Sequence, residues 1–231
     1  MSRVAQFFLL LFLPLTLLAE PNPQWRYHIY NTEDELLGEY VVTLTSSDAS
    51  RQQIQGRMQM SGSWMMIQYE LSGKEAITID EQGIAEFVLI DDIDSSLMSG
   101  TRRTHGKRED NVLTLTIRKD GETEVKQFSL DSFDTIRRIN TKQQKAYAKM
   151  LRAAPASFRS LNIMQGEIEE IEIEDLGVVS MQLDGRETRL EKYRIKQPGF
   201  DSEVWLLPDG TVYRNGGRFG YSMLHFSPDD W

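Results

Sequence analysis

Three histidines, His28, His105 and His225, are the residues of this chain best suited to acid–base chemistry. They occur singly, without the His-x-His or His-Glu-x-x-His spacing of a metal site, and the chain has no Gly-x-Ser-x-Gly elbow for a nucleophilic serine. His28 and His225 lie in strand-like stretches, whereas the polar stretch around His105 is typical of a hairpin tip. The sequence therefore predicts no catalytic residue and no metal ligand. An enzyme would need a histidine and a carboxylate brought together by folding.

Acidic and glycine-rich stretches also lack the spacing of a known site. Asp91, Asp92 and Asp94 lie close together, but no calcium-binding loop pattern surrounds them. The stretch "IEEIEIED" alternates isoleucine with glutamate, which indicates an edge or outer strand with one charged face. The stretch "RNGGRFG" has strand-like sequence on both sides and so does not fit a dinucleotide-binding turn. We expect no bound cofactor.

Composition limits the class of protein. The chain has 231 residues, no cysteine and a formal charge of −9, which excludes a disulfide framework and disfavours nucleic-acid binding. Residues 1–19 combine Arg3 with an apolar run that is short for a membrane span, and they are predicted to be a signal peptide. An uncleaved anchor is the alternative. We expect a periplasmic protein with a single antiparallel β-rich domain over residues 20–231.

The elements that would position any site are mostly strands. Short runs rich in β-branched and aromatic residues alternate between two faces, and turn sequences separate them. Asp120-Gly121, Asp184-Gly185 and Pro208-Asp209-Gly210 fall where strands should reverse. This pattern predicts a mainly β fold: a single curved antiparallel sheet, or a half-barrel or β-sandwich. The stretch 202–226 is expected to form a terminal meander that completes the sheet.

One segment has helical periodicity. Tyr147, Met150, Leu151 and Ala154 recur at helical spacing, which predicts an amphipathic helix at about 141–154, packed against the sheet. A shorter helical turn is expected at 131–138. No acidic residue occurs between Thr135 and Gly166. The helix is therefore basic, and its cations are candidates for contact with an anionic membrane surface or an acidic partner: Lys142, Lys145, Lys149 and Arg152.

The opening stretch "WRYHIYNTEDELLGEYVVTL" and the closing stretch "EVWLLPDGTVYR" resemble those of a group of uncharacterised exported β-rich bacterial domains. The resemblance covers residues 20–44 and 158–226. It implies a curved antiparallel sheet or half-barrel, similar in outline to periplasmic carriers of lipids and lipoproteins. It implies no chemistry.

These observations favour a non-enzymatic binding or accessory protein that holds an apolar, lipid-like ligand or a partner segment on its curved sheet. The alternatives are a cell-envelope hydrolase or isomerase and a structural or assembly subunit of an envelope complex. Large apolar side chains are the candidate ligand contacts: Trp25, Tyr27, Trp64, Met66, Tyr147, Trp205, Tyr213 and Tyr221.

Overall fold

Within the residues that the structure describes, the chain forms one large sheet and one short α-helix. The computed structural model describes residues 24–48, 50–64, 67–97, 99–136, 144–183, 185–217 and 220–225. Fifteen strands pair within these residues. They are β1 Gln24–Tyr30, β2 Leu36–Asp48, β3 Arg51–Trp64, β4 Ile67–Asp80, β5 Gly83–Ser95, β6 Ser99–Glu109, β7 Val112–Lys119, β8 Glu122–Ser129, β9 Thr135–Ile136, β10 Ala156–Asn162, β11 Glu167–Leu183, β12 Arg186–Gln197, β13 Phe200–Leu206, β14 Val212–Gly217 and β15 Gly220–His225.

The order of the strands puts the two ends of the chain side by side in the middle of the sheet. The order is β8-β7-β6-β5-β4-β3-β2-β1-β15-β14-β13-β12-β11-β10-β9, so β8 and β9 are the edges and the sheet is not closed. Every neighbouring pair is antiparallel except β9 and β10. The predicted curved antiparallel sheet is confirmed. The terminal meander is also present, but it joins β1 at the centre of the sheet and does not form an edge.

The two faces of the sheet differ in composition. We call the face that carries Tyr27 and Val42 face A, and the face that carries Arg26 and Trp205 face B. The glycines inside β2–β6 all lie on face A: Gly38, Gly56, Gly62, Gly73, Gly100 and Gly106. Missing side chains on one face favour bending of a sheet toward that face. The pattern therefore favours curvature of the first half of the sheet toward face A.

Two apolar clusters show how the sheet rolls. The first joins face A of β2–β7, for example Ile77 and Leu115, to face B of β10–β12, for example Leu161 and Leu190. The second cluster lies on face A of β10–β14. Face A of the first half therefore packs against face B of the second half, as in a rolled sheet. The edge strands take part, because Lys126 on β8 donates a hydrogen bond from Nζ to the Gln165 carbonyl, 3.0 Å away, in the β10–β11 turn.

Helix α1, Gln144–Leu151, covers the second cluster. Its side chains Tyr147, Ala148 and Leu151 are buried against β11–β14, so the predicted packing of a helix on the sheet is confirmed. The helix is shorter than predicted, and residues 137–143 lie outside the described ranges. The expected helical turn at 131–138 is a 3₁₀ turn at Leu130–Ser132, followed by β9. Among the described residues, no helix has the length and apolar character needed to span a membrane.

Strand β11 is not an edge strand, so that part of the prediction was wrong, but its predicted charged face is present, with Glu170, Glu172 and Glu174 on face B. It pairs with β10 on one side and β12 on the other. The glutamates on face B are balanced by cations of β12, since Glu174 accepts a hydrogen bond from Lys196 and lies 3.5 Å from Arg194. A bulge between Asp175 and Val178 then exchanges the two faces of β11. The charged face seen in the sequence thus lies beside a basic neighbouring strand and stays partly exposed to solvent, with 37% of the Glu174 side chain exposed.

Turns follow the predicted chemistry. Asp120 and Gly121 have φ of 52° and 84°, as a type I′ hairpin requires. Gly210 has φ of 88°, and its amide donates to the Leu207 carbonyl at 2.9 Å. Gly185 has φ of 76° in the turn between β11 and β12. Local sequence therefore determines where these strands reverse.

Candidate functional site

A cavity of about 500 Å³ lies beside α1, where the helix meets the turns of the first half of the sheet. We call it the α1 cavity. Its volume is within the range of small-molecule sites, about 300–1,000 Å³. Most of its wall is apolar, and the apolar lining residues are Ile84, Leu113, Leu130, Phe133, Ile136, Met150 and Phe158.

The rolled sheet brings these elements together. Ile84 follows the β4–β5 turn and Leu113 follows the β6–β7 turn, and both turns are at the same end of the sheet. Leu130 is the first residue of the 3₁₀ turn between the edge strand β8 and β9, and Phe133 directly follows this turn. On the helix side, Ala146 and Ala153 carry only a methyl group, which leaves space between α1 and the sheet. The cavity thus lies where the two halves of the sheet and the helix meet.

One buried cation lines the α1 cavity. The side chain of Arg108 is only 8% exposed, and its Nη2 donates a hydrogen bond to Oδ2 of Asp80. This hydrogen bond is the main cause that holds the pKa of Asp80 below its usual value. The second terminal nitrogen of Arg108, Nη1, is buried and has no hydrogen-bond partner within the described part of the chain. Nη1 therefore has hydrogen-bonding capacity that the described residues do not use.

Two further charged groups line the α1 cavity, and only one of them is hydrogen-bonded to an oppositely charged residue in the described part of the chain. Asp134 accepts hydrogen bonds from the backbone amide of Arg159 at 2.8 Å and from its guanidinium at 3.1 Å, which lower the pKa of Asp134. Lys149, on α1, is exposed and forms no ion pair with the residues described. The negative charge of Asp134 is thus paired with Arg159, whereas the positive charge of Lys149 has no counterion among the described residues.

A larger concavity of about 760 Å³ opens at the other end of the sheet. We call it the distal concavity. Its lining includes the apolar residues Met60, Leu71 and Ile93, but also four acidic residues: Glu39, Glu70, Asp92 and Asp94. Among its lining residues there is no lysine or arginine. The α1 cavity is therefore the better candidate for an apolar ligand, and above all for an anionic one.

The predicted aromatic contacts lie in three separate places. Tyr27 and Tyr213 are buried in the first apolar cluster, and Trp25 packs against it. Tyr147 is buried in the second cluster, where burial raises the pKa of its hydroxyl. None of these residues lines the α1 cavity, so their part in ligand binding stays a prediction.

Trp205 and Tyr221 belong to face B, and Trp205, like Trp25, packs against the first apolar cluster. Arg214 lies between them, with its Cζ 5.3 Å from the Trp205 ring centre and 3.8 Å from that of Tyr221. The hydroxyl of Tyr221 donates to Oδ1 of Asp34 at 2.7 Å. The remaining two candidates cannot be placed, since Met66 and the side chain of Trp64 lie outside the described residues.

The four predicted basic contacts also separate. Arg152 donates two hydrogen bonds to Glu191 of β12, at 2.8 and 2.7 Å, and one to the Pro208 carbonyl at 3.2 Å. It therefore fastens α1 to the sheet, while Lys149 lies at the α1 cavity. Lys142 and the side chain of Lys145 lie outside the described residues.

One histidine, His105, lies within hydrogen-bond distance of a carboxylate. His105 lies within β6 and not at a hairpin tip as predicted, and its Nε2 is 2.8 Å from Oε1 of Glu86. Both side chains are more than a third exposed, and neither lines the α1 cavity or the distal concavity. His28 contacts Tyr30 on face B, and the side chain of His225 is not described. In the described part of the chain, no three His, Asp or Glu side chains are placed to hold a metal ion.

Arg108 was not among the residues predicted from the sequence. Residues 101–110 resemble one polar hairpin tip, although Thr104, Gly106 and Arg108 alternate in phase on face A. The signal that could have identified Arg108 is a charged residue at the same two-residue spacing as the inward-facing positions of the strand.

No protein-family model matches this sequence, and no curated protein sequence matches it either. Among solved structures, the chain is similar to the crystal structure of a β-barrel-like protein of a domain of unknown function, DUF1849, from Brucella abortus. The TM-score is 0.58 with 11% sequence identity, and the match covers 87% of this chain and 95% of that one. This similarity shows a shared β-barrel-like fold over most of both chains.

Proposed function

We propose that this chain is a non-enzymatic binding protein that holds an apolar, lipid-like ligand, and that it works in the periplasm after export. The observation that carries the proposal is the α1 cavity, in which seven large apolar side chains line a space of about 500 Å³. Binding sites for small molecules are typically concave and mostly apolar, with few polar groups.

Two features of the cavity support this function. Its walls come from elements distant in sequence, namely the β4–β5 and β6–β7 turns, the segment before β9 and α1. Such a wall is held by the whole fold, so that it is formed in advance of binding. Met150 adds an adaptable side chain, which suits ligands with flexible chains.

The test is the binding of a neutral fluorescent probe, N-phenylnaphthylamine, to the α1 cavity. We expect the protein to enhance the probe's fluorescence and Ala153→Trp to abolish the enhancement, because Ala153 lines the cavity and a tryptophan there fills it. The control is Thr123→Trp, an exposed position on the edge strand β8 that lies outside the cavity. Unchanged probe binding by Ala153→Trp in a folded protein would contradict the proposal. So would an equal loss in the control.

A further inference from the structure

We propose that the ligand of the α1 cavity is an anionic amphiphile whose oxyanion headgroup is bound by Nη1 of Arg108. This inference rests on the proposed function and specifies its ligand class. It follows from three observations on the described residues: a buried donor without an acceptor, an apolar wall around it and a free cation at the margin.

The donor is the first observation. Arg108 lines the α1 cavity, and its Nη1 is buried and has no protein acceptor among the described residues. A buried donor without an acceptor is unfavourable, and its desolvation is offset when an acceptor arrives. A carboxylate or phosphate oxygen is the acceptor that gains most, because both partners are charged and the hydrogen bond is shorter and stronger.

Asp80 explains why the acceptor does not come from the protein. Its carboxylate binds Nη2 of Arg108, which fixes the plane of the guanidinium and orients Nη1. Asp80 itself does not line the cavity. Arg108 is thus held by a protein carboxylate through Nη2, and in the proposed complex Nη1 is the nitrogen that binds the ligand.

The rest of the lining decides the class of ligand. The apolar wall fits a hydrocarbon chain, and Lys149 at the margin adds a second positive charge without a counterion among the described residues. Asp134, the one acidic lining residue, is already bound by Arg159. A cationic amphiphile would meet two cations, whereas an anionic one meets complementary charge.

The experiment compares two probes of equal chain length, dodecanoate and dodecanol, below their micelle concentrations at pH 8. Each competes with N-phenylnaphthylamine for the cavity. Acetate is the third competitor, because it has the carboxylate of dodecanoate without the long hydrocarbon chain. We expect dodecanoate to bind about tenfold more tightly than dodecanol, the typical gain from one charge-assisted hydrogen bond. Acetate should not compete. If acetate competed as strongly as dodecanoate, the proposal that the ligand is an amphiphile would be wrong.

Two substitutions separate a ligand contact from a purely structural role. Arg108→Gln should weaken dodecanoate about tenfold and leave dodecanol within about twofold, because only the headgroup contact is lost. Asp80→Asn should strengthen dodecanoate by about threefold or more, since it removes a competing negative charge next to Arg108. A structural role alone predicts the opposite, an equal loss of both probes in both variants.

The outcomes distinguish the two proposals. If neither amphiphile nor the neutral probe binds, the proposed function fails. If dodecanol and dodecanoate bind equally in the unmodified protein, the cavity binds apolar molecules and the Arg108 inference is wrong. A loss of both probes in Arg108→Gln, with melting unchanged, would likewise overturn the headgroup contact.

Discussion

Gly106 lies directly against the ring of Phe87, a side chain with no exposed surface in the first apolar cluster. A methyl group built on Gly106 would lie 2.2 Å from that ring, which is impossible without movement of the ring or the strand. Gly56 makes similar room on the same face for Glu75, a buried carboxylate that accepts a hydrogen bond from the Tyr40 hydroxyl. Single glycines on face A thus determine where large side chains fit.

The first prediction concerns this glycine. Gly106→Ala should lower the free energy of unfolding by about 1–3 kcal/mol, because it overpacks a filled core. Gly73→Ala is the matched control, since Gly73 lies on the same face and a methyl group there meets its neighbours at 3.4 Å or more. Urea unfolding of both variants measures the difference. Equal effects of the two substitutions would contradict the packing argument.

Lys149 gives a second residue-scale prediction. Lys149→Gln should weaken dodecanoate binding by about two- to threefold at low salt and leave dodecanol unchanged, because a margin cation acts through space and is screened by salt. The measurement is the probe competition repeated at low and at high salt. Arg103→Gln, which replaces an exposed cation that does not line the cavity, is the control. A salt-independent effect would argue against a charge contact.

At the scale of elements, Arg152 and Glu191 connect α1 to β12. The Arg152 side chain is 40% exposed and that of Glu191 is 29% exposed, so solvent screens much of the interaction. The paired geometry with two hydrogen bonds makes this ion pair stronger than a single surface contact. The pair is the polar fastening of a helix that is otherwise held by Tyr147, Ala148 and Leu151.

The third prediction is the pH dependence of this fastening. Arg152 holds the pKa of Glu191 below its usual value, so the stabilisation is present above the unfolded-state pKa, about 4.3, and is lost as pH falls through the folded-state pKa. Glu191→Gln should therefore be less stable than the unmodified protein at pH 7, by about 1 kcal/mol. The difference should shrink below pH of about 4. Thermal melting at both pH values measures it.

The control for this prediction is Glu187→Gln, also on β12. Its side chain is exposed, so this substitution should change stability little at either pH. A gap between Glu191→Gln and the unmodified protein that is the same at low and neutral pH would show that Arg152 does not act through the ionised carboxylate.

Local sequence was sufficient to predict several elements and not others. Turns such as Asp120-Gly121 depend on the positive φ of two adjacent residues, and the α1 periodicity depends on one buried face, so both can be read over a few residues. The internal position of β11 could not be predicted from its own residues, because the cations that balance its charged face, Arg194 and Lys196, lie on the next strand. Arg108 was missed for the same reason, since its partner Asp80 lies 28 positions earlier.

At the scale of the whole molecule, the pair β1–β15 joins the two halves of the sheet. Its register places Tyr27 opposite Leu224, and both side chains are buried in the first cluster. A curved antiparallel sheet could be predicted from alternation and turns. The strand order could not, because alternation says which face a residue takes but not which distant strand is its neighbour.

The fourth prediction follows from this junction. A chain that ends at Gly217 should lose cooperative unfolding, since β1 and β14 both lose their neighbour. A synthetic peptide of residues 218–231 should restore it by adding a strand between them. The same peptide with Leu224→Asp is the control, and it should not restore folding because it places a charge in the apolar cluster. Cooperative unfolding of the shortened chain alone would contradict the importance of the junction.

The central position of β15 also has a consequence for biosynthesis. Of the fifteen described strands, β1 is the first to be synthesised and β15 is the last, so the edge of β1 that receives β15 stays unpaired until β15 has been synthesised. Contacts between such distant segments slow folding and leave strand edges open to other chains. During this interval the nascent protein depends on being kept apart from its own copies. A holding chaperone should therefore raise its yield more than that of a sheet built only from consecutive hairpins.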